Sequence, residues 1–186
     1  MTVTGIVNKA LFYLREKAIS SLTEGTTRSN IVQRVVESAM DEVLMEYEWS
    51  CAYYRARLSL TGDSGVLYDN VFRLPADPYC LKIRKVESPT TGWKRRARFI
   101  ETDADEVVIE YTRRIANERD LDAWLIEPMA RCIAYQAAPG ITNDKQVQAD
   151  LQALYQMALL NAKRNEAEQM PDEEPPDLWD ERLESG

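Results

Sequence analysis

Residues 31–60 read IVQRVVESAM DEVLMEYEWS CAYYRARLSL, and the apolar period changes inside this stretch. In the first half Ile31, Val35, Ala39, Val43 and Tyr47 recur every fourth residue, with Val32, Val36, Met40 and Leu44 beside them. That spacing lays a broad apolar stripe along a helix running to about Trp49. In the second half Tyr54, Ala56, Leu58 and Leu60 alternate with Arg55, Arg57 and Ser59, the period of a half-buried strand. The chain is therefore expected to pass from helix to β structure near residue 50.

On the N-terminal side, Ile6, Val7, Ala10, Leu11, Leu14 and Ala18 predict a first helix over residues 4–18, broken by Gly25. Ser29 or Thr27 would cap the second. On the C-terminal side, residues 62–65 supply a turn, and the two prolines of Leu74-Pro75-Ala76-Asp77-Pro78 exclude helix. Leu81 and Ile83 alternate with Lys82 and Arg84. Further strands are expected over residues 93–100 and 106–112, the latter with Val107, Ile109 and Tyr111 on one face. Four or five short strands between about residues 52 and 114 make a small antiparallel sheet.

Helix returns after Asp120 with Leu121, Trp124, Leu125, Met129, Ile133 and Ala137, kinked or begun by Pro128 and ended by Pro139-Gly140. Asn143 is expected to cap the last helix, with Val147, Leu151, Leu154, Tyr155, Ala158 and Ala162 inward and polar residues all round beyond Lys163. The fold class expected is mostly α: an antiparallel helical bundle with an inserted small antiparallel β-domain and an extended C-terminal tail. Residues 1–50 and 115–170 would form the bundle, 51–114 the β-rich insertion and 171–186 the acidic tail.

Composition excludes several chemistries. The 186 residues contain no histidine, which removes imidazole catalysis and His-based zinc sites. Cys51, Cys80 and Cys132 are odd in number and scattered, so a disulfide framework is not expected and a reducing compartment fits. No apolar run is long enough to span a bilayer, and no signal peptide is indicated. The glycines form no phosphate-binding loop and no nucleophile elbow. Asp103, Asp105, Glu106, Asp120 and Asp122 lie at expected turns and helix starts, where they stabilise free amides. No enzyme is expected, and no catalytic residue, cofactor or metal site.

Two surfaces carry the binding expectations. The first is a basic run of seven cations against one acid, Glu87: Lys82, Arg84, Lys85, Lys94, Arg95, Arg96 and Arg98, with Trp93 among them. It could contact nucleic-acid phosphates, meet acidic turns of a neighbouring subunit, or simply solvate strand edges. The second is the tail. Of the net charge of −8, residues 171–186 carry −6, leaving the rest of the chain near neutral. Such a segment cannot bury enough to fold alone, yet it holds Leu178, Trp179 and Leu183 among acids that include Asp177 and Asp180. Apolar anchors in an acidic segment suit docking to a partner; the plainer role is solubility.

The order of these motifs resembles the head–tail adaptor family of short-tailed phages, the tail tubular protein A or gatekeeper type. The resemblance rests on Ile6-Val7-Asn8-Lys9-Ala10-Leu11 with Leu14, and on Ser20-Ser21-Leu22-Thr23-Glu24. Tyr47, Trp49 and Ala52 before Arg55-Ala56-Arg57-Leu58 follow, then Leu74-Pro75-Ala76-Asp77 and Glu110-Tyr111-Thr112-Arg113-Arg114. It covers most of residues 3–165, and it departs from the pattern where Pro128 and Cys132 interrupt a small-apolar helix. The resemblance implies a structural virion protein at the head–tail junction, assembled in the bacterial host cytoplasm. Such proteins form a homo-oligomeric ring, usually of twelve copies, between the portal protein and the tail nozzle, giving the DNA a passage and touching no membrane. Leu178, Trp179, Leu183, Asp177 and Asp180 would then dock on the portal, and the basic run would face a neighbouring subunit or DNA in the channel. A connector of a longer-tailed phage is the near alternative. A nucleic-acid-binding module using residues 82–98 is the distant one.

Overall fold

The computed structural model describes residues 2–87, 92–142 and 144–169. The first helix, α1 (Val3–Tyr13), starts at Thr2, whose hydroxyl accepts from the Gly5 amide. It ends five residues earlier than expected because Arg15 takes a left-handed φ of 58°. The Arg15 and Glu16 amides then close on the Phe12 and Leu11 carbonyls. Ala18 is exposed, and Ile19 takes the buried place, held by a pair of hydrogen bonds between its backbone and the Asn8 side chain.

Helix α2 (Thr27–Met45) is capped by Thr26 rather than by Ser29 or Thr27: the Thr26 hydroxyl accepts from the Ser29 amide. It stops short of Trp49. The chain folds back so that the buried Trp49 indole donates at 2.8 Å to the Val43 carbonyl, which also accepts from the Glu46 amide at 3.3 Å.

Seven strands follow: β1 (Tyr53–Arg57), β2 (Ser59–Leu60), β3 (Asn70–Arg73), β4 (Cys80–Glu87), β5 (Trp93–Arg96), β6 (Phe99–Thr102) and β7 (Val108–Arg113). They form two antiparallel sheets, ordered β1-β7-β4 and β2-β3-β6-β5. The expectation of a mostly helical bundle with one small sheet is thus corrected to a mixed α/β fold, with four α-helices and seven strands among the described residues. The cause is local. Residues 53–60, read as one strand, leave the first sheet at Leu58 and enter the second, while residues 93–100 double back at Ala97 as a hairpin. Between the sheets lies a separate core of Leu58, Phe72, Leu74, Ile100, Val107, Ile109 and Tyr111. The β region therefore has an interior of its own and is no mere appendage.

Helix α3 (Ile126–Ile141) contains Pro128 in its first turn, where the missing amide has no intrahelical partner to lose, so no kink results. Pro139 and Gly140 do not end it. The helix runs on to Ile141, with the Thr142 amide closing on Ala138. Gly140 instead lets α2 come close, since a Cβ there would stand 3.1 Å from an Ile31 methyl. Helix α4 (Lys145–Gln169) is capped by Asp144, whose carboxylate accepts from the Gln146 and Val147 amides. Asn143, the expected cap, lies outside the described residues. The helical core gathers Ile6, Leu11, Val32, Val43, Trp49, Met129, Ile133, Leu151, Tyr155 and Leu159.

Two polar clusters tie these helices together. Glu166, expected on a solvated stretch, is fully buried; it accepts from the Ser50 amide at 2.6 Å, the Ser50 hydroxyl at 2.5 Å and the Trp124 indole at 3.0 Å. Glu127 on α3 meets Lys9 at 2.6 Å, Arg131 at 2.8 Å and the Tyr13 hydroxyl, with the Arg131 guanidinium 3.8 Å from the Tyr13 ring centre. Burial would raise the Glu127 carboxyl, but hydrogen bonds from Lys9, Arg131 and Tyr13 outweigh it and hold the group below its ordinary 4.5.

Both clusters generate tests. Glu166→Gln keeps one acceptor but leaves either Ser50 or Trp124 facing an amide donor, and is expected to lower stability by about 1–3 kcal/mol. Equal urea midpoints for the two proteins would refute that role. A depressed carboxyl stabilises the fold above its unfolded value and loses that contribution as pH falls through the folded one. The stability advantage of wild type over Glu127→Gln should therefore be present at pH 7 and shrink below about pH 4.5. An advantage that grows on acidification would reverse the assignment.

Candidate functional site

The seven cations of the basic run do not form one surface. Lys82, Arg84 and Lys85 lie on β4, at one edge of the three-stranded sheet; Lys94, Arg95 and Arg96 lie on β5, at one edge of the four-stranded sheet. Within each group the side chains differ again in what they touch.

Arg84 is half-buried. Its guanidinium donates to the Trp49 carbonyl at 2.7 Å and the Thr112 hydroxyl at 3.0 Å, and lies 5.6 Å from the centre of the Tyr53 ring. Burial pulls its pKa below the ordinary arginine value, offset in part by Glu48 and Glu166. Arg98 donates to the carbonyls of Cys80 at 2.7 Å and Pro75 at 2.5 Å, and stacks 4.2 Å from the Tyr79 ring centre. These two arginines join β4 to the helices and close the loop that carries Leu74-Pro75-Ala76-Asp77. Each is engaged with its own chain.

The others are more open. Lys82 reaches the Met45 carbonyl at 3.4 Å, at the C-terminus of α2 where a cation is favoured. Lys85 pairs with Glu87 at 3.4 Å, within a mixed-charge lattice that includes Arg55–Glu87 at 2.5 Å and Arg57–Glu106 at 2.8 Å. On β5 all four residues are exposed, Trp93 by 43%. Arg96 contacts the buried Glu101 at 2.9 Å, and the Arg95 guanidinium donates to the Ala97 carbonyl at 3.2 Å. The part of the run still presented to a partner is therefore Lys82 and Lys85 on β4 and, on β5, a contiguous basic edge of Lys94, Arg95 and one side of Arg96 beside Trp93.

A third arginine was missed by the sequence reading. Arg114, just beyond β7, forms a forked pair with Asp41 and a 2.5 Å contact with Glu37, both on α2, while its amide donates to the Tyr79 carbonyl. Those acids raise its pKa, the Asp41 hydrogen bond most. Arg84, Arg113, which reaches the Cys51 carbonyl at 3.3 Å, and Arg114 together bridge helices to sheets. The sequence signal for Arg113 and Arg114 was the Glu110–Arg114 motif, which shows no period that would reveal the pairing of Arg114 with α2.

Leu178, Trp179, Leu183, Asp177 and Asp180 lie outside the described residues. Among the described residues no three His, Cys, Asp or Glu side chains gather as a metal cluster, and no helix is long and apolar enough to cross a membrane. Burial pushes the thiols of Cys51 and Cys132 up to about 12, so neither supplies a thiolate at neutral pH.

Arg98→Ala would leave two carbonyls without their charged donor and is expected to cost about 2–3 kcal/mol. Arg95→Glu, at the open edge, should stay within about 0.5 kcal/mol of wild type. Chemical denaturation of both variants checks this; equal losses would mean that the run is not divided. No protein-family model matches this chain, and no curated protein matches it either.

Proposed function

We propose that this protein is a structural head–tail adaptor, which assembles as a ring between a portal protein and a tail nozzle and leaves a passage for DNA. The observation that carries the reading is where the residues of the resemblance lie. Trp49 closes α2, Ala52 is buried in the helical core, Leu74 and Pro75 bind Arg98, and Arg113 and Arg114 clamp sheet to helix. These residues hold a helical core and a two-sheet core at a set distance, as a rigid spacer in a ring requires. In this reading the acidic segment 171–186 docks on the portal through Leu178, Trp179 and Leu183, steered by Asp177 and Asp180. The open basic edge of β5 faces a neighbouring subunit or the DNA.

A second reading is favoured by one feature of that edge. An exposed Trp93 beside Lys94 and Arg95 is a stacking and phosphate-contact pair of the kind used on single-stranded nucleic acid. Affinity for an oligonucleotide that falls log-linearly with salt would support it over the adaptor reading.

Deleting residues 171–186 should leave the thermal transition of the isolated protein unchanged and abolish rings on added portal, as read by electron microscopy. Rings that persist would dismiss the docking tail. Full-length protein that never assembles on a portal would dismiss the adaptor reading itself.

A further inference from the structure

Helix α4 is the outermost of the four helices in one respect. Its inner face packs on α3, yet its outer face carries large apolar side chains in water: Met157 is 63% exposed, Leu160 52% and Leu154 40%. The twelve residues from Leu151 to Ala162 contain no charge, in a chain where 29% of residues are charged. Depletion of charge around exposed Met and Leu is the compositional mark of an interface centre rather than of a solvated helix. The charges return at both ends of the stretch, as Asp150 before it and Lys163 and Arg164 after it.

Helical geometry makes this pattern symmetric. At about 100° per residue, Asp150 and Arg164 lie within about 20° of the Met157 direction, and Leu154 and Leu160 within about 60° on opposite sides. Asp150, Ala153, Leu154, Met157, Leu160, Asn161 and Arg164 are all exposed. Asp150, Met157 and Arg164 repeat every seven residues, the period that keeps one seam turned to a partner helix. Met157 is its midpoint, since Asp150 and Arg164 are each seven residues away.

We propose that the outer face of α4 binds the same face of a second copy of this chain, antiparallel about a two-fold axis at Met157. In that register Met157 meets Met157, Leu154 and Leu160 flank that contact on its two sides, and Asp150 meets Arg164 of the second copy at both ends. A parallel pairing would oppose Asp150 to Asp150 and Arg164 to Arg164, so charge alone selects the antiparallel one. Leu154 also borders a groove of about 340 Å³ in which the apolar Tyr13, Leu14, Val147 and Leu151 are joined by Arg15, Thr142 and Asp150. The seam is about 21 Å long, short of what a permanent dimer uses, so the pair is transient, with a dissociation constant on the order of 10–100 µM. The inference does not rest on the adaptor reading: a two-fold pair needs no portal and is not the head-to-tail contact of a ring.

Sedimentation velocity of the full-length chain from about 5 to 500 µM, which brackets that constant, tests it. The sedimentation coefficient should rise from the monomer toward the dimer value. Met157→Glu, which sets two carboxylates against each other at an already exposed position, should remain monomeric with unchanged circular dichroism. Asp150→Arg should weaken the pair at least tenfold, and the double exchange Asp150→Arg with Arg164→Asp should restore it. Register is read by oxidation: Met157→Cys should cross-link into dimers while Leu154→Cys does so far more slowly. Wild-type protein that stays monomeric throughout, a dimer unaffected by Met157→Glu, or equal cross-linking of the two cysteine variants would each overturn the proposal.

Discussion

A buried carboxylate near the end of α4 fixes how the rest of the helical region is arranged. An unpaired charge in that position would cost several kcal/mol, so Glu166 is tolerable only while its hydrogen bonds are made. Its donors come from two distant places: Ser50, just after α2, and Trp124, just before α3. One side chain thus sets the exit of α2 and the entry of α3 against the C-terminal turns of α4. The same exit carries Trp49, whose carbonyl is the acceptor for Arg84 on β4. The chain of dependence runs from a carboxylate on one helix, through a backbone turn, to the sheet.

The helix–sheet connection follows the same logic with the signs reversed. Arg84 and Arg114 bring charge into half-buried ground, and each is satisfied there, Arg84 by a carbonyl and a hydroxyl, Arg114 by two acids of α2. A planar guanidinium suits this role because it can hold several acceptors in fixed directions where an ammonium cannot. This divides the basic run: the half-buried Arg84 and Arg98 act as fasteners, while Lys94 and Arg95 on the β5 edge remain open to solvent.

Much of this was legible in sequence, and the failures share a cause. Periodicity reports burial along one element, so α2, β4 and β7 could be placed from Ile31, Leu81 and Ile109. It does not report where a chain changes partner. Residues 53–60 keep their alternation while crossing from one sheet to the other at Leu58, and β2 is too short to register as a separate strand. Counting strands by period therefore merged two sheets into one and made the fold look more helical than it is. Polar burial was also invisible. Arg84 and Lys94 are both cations in the same run, and only the third dimension shows that one faces the Trp49 carbonyl and the other water. Glu166 was read as solvated because its neighbours Arg164, Asn165 and Glu168 are, although its place on the helix is that of the buried Tyr155, Leu159 and Ala162.

That last error shows how α4 works on both faces. Its buried side sets Ala158 and Ala162 among the larger Leu151, Tyr155 and Leu159, against α3, whose own buried residues include Ala130, Ala134 and Ala137. Small residues on both helices let the two axes approach. A helix buried on one side must either dress its other side in charge or share it. Between Leu151 and Ala162 this one carries no charge at all, and the large side chains that it exposes there are Leu154, Met157 and Leu160. The close packing within the molecule and the apolar surface outside it are two consequences of one sequence choice.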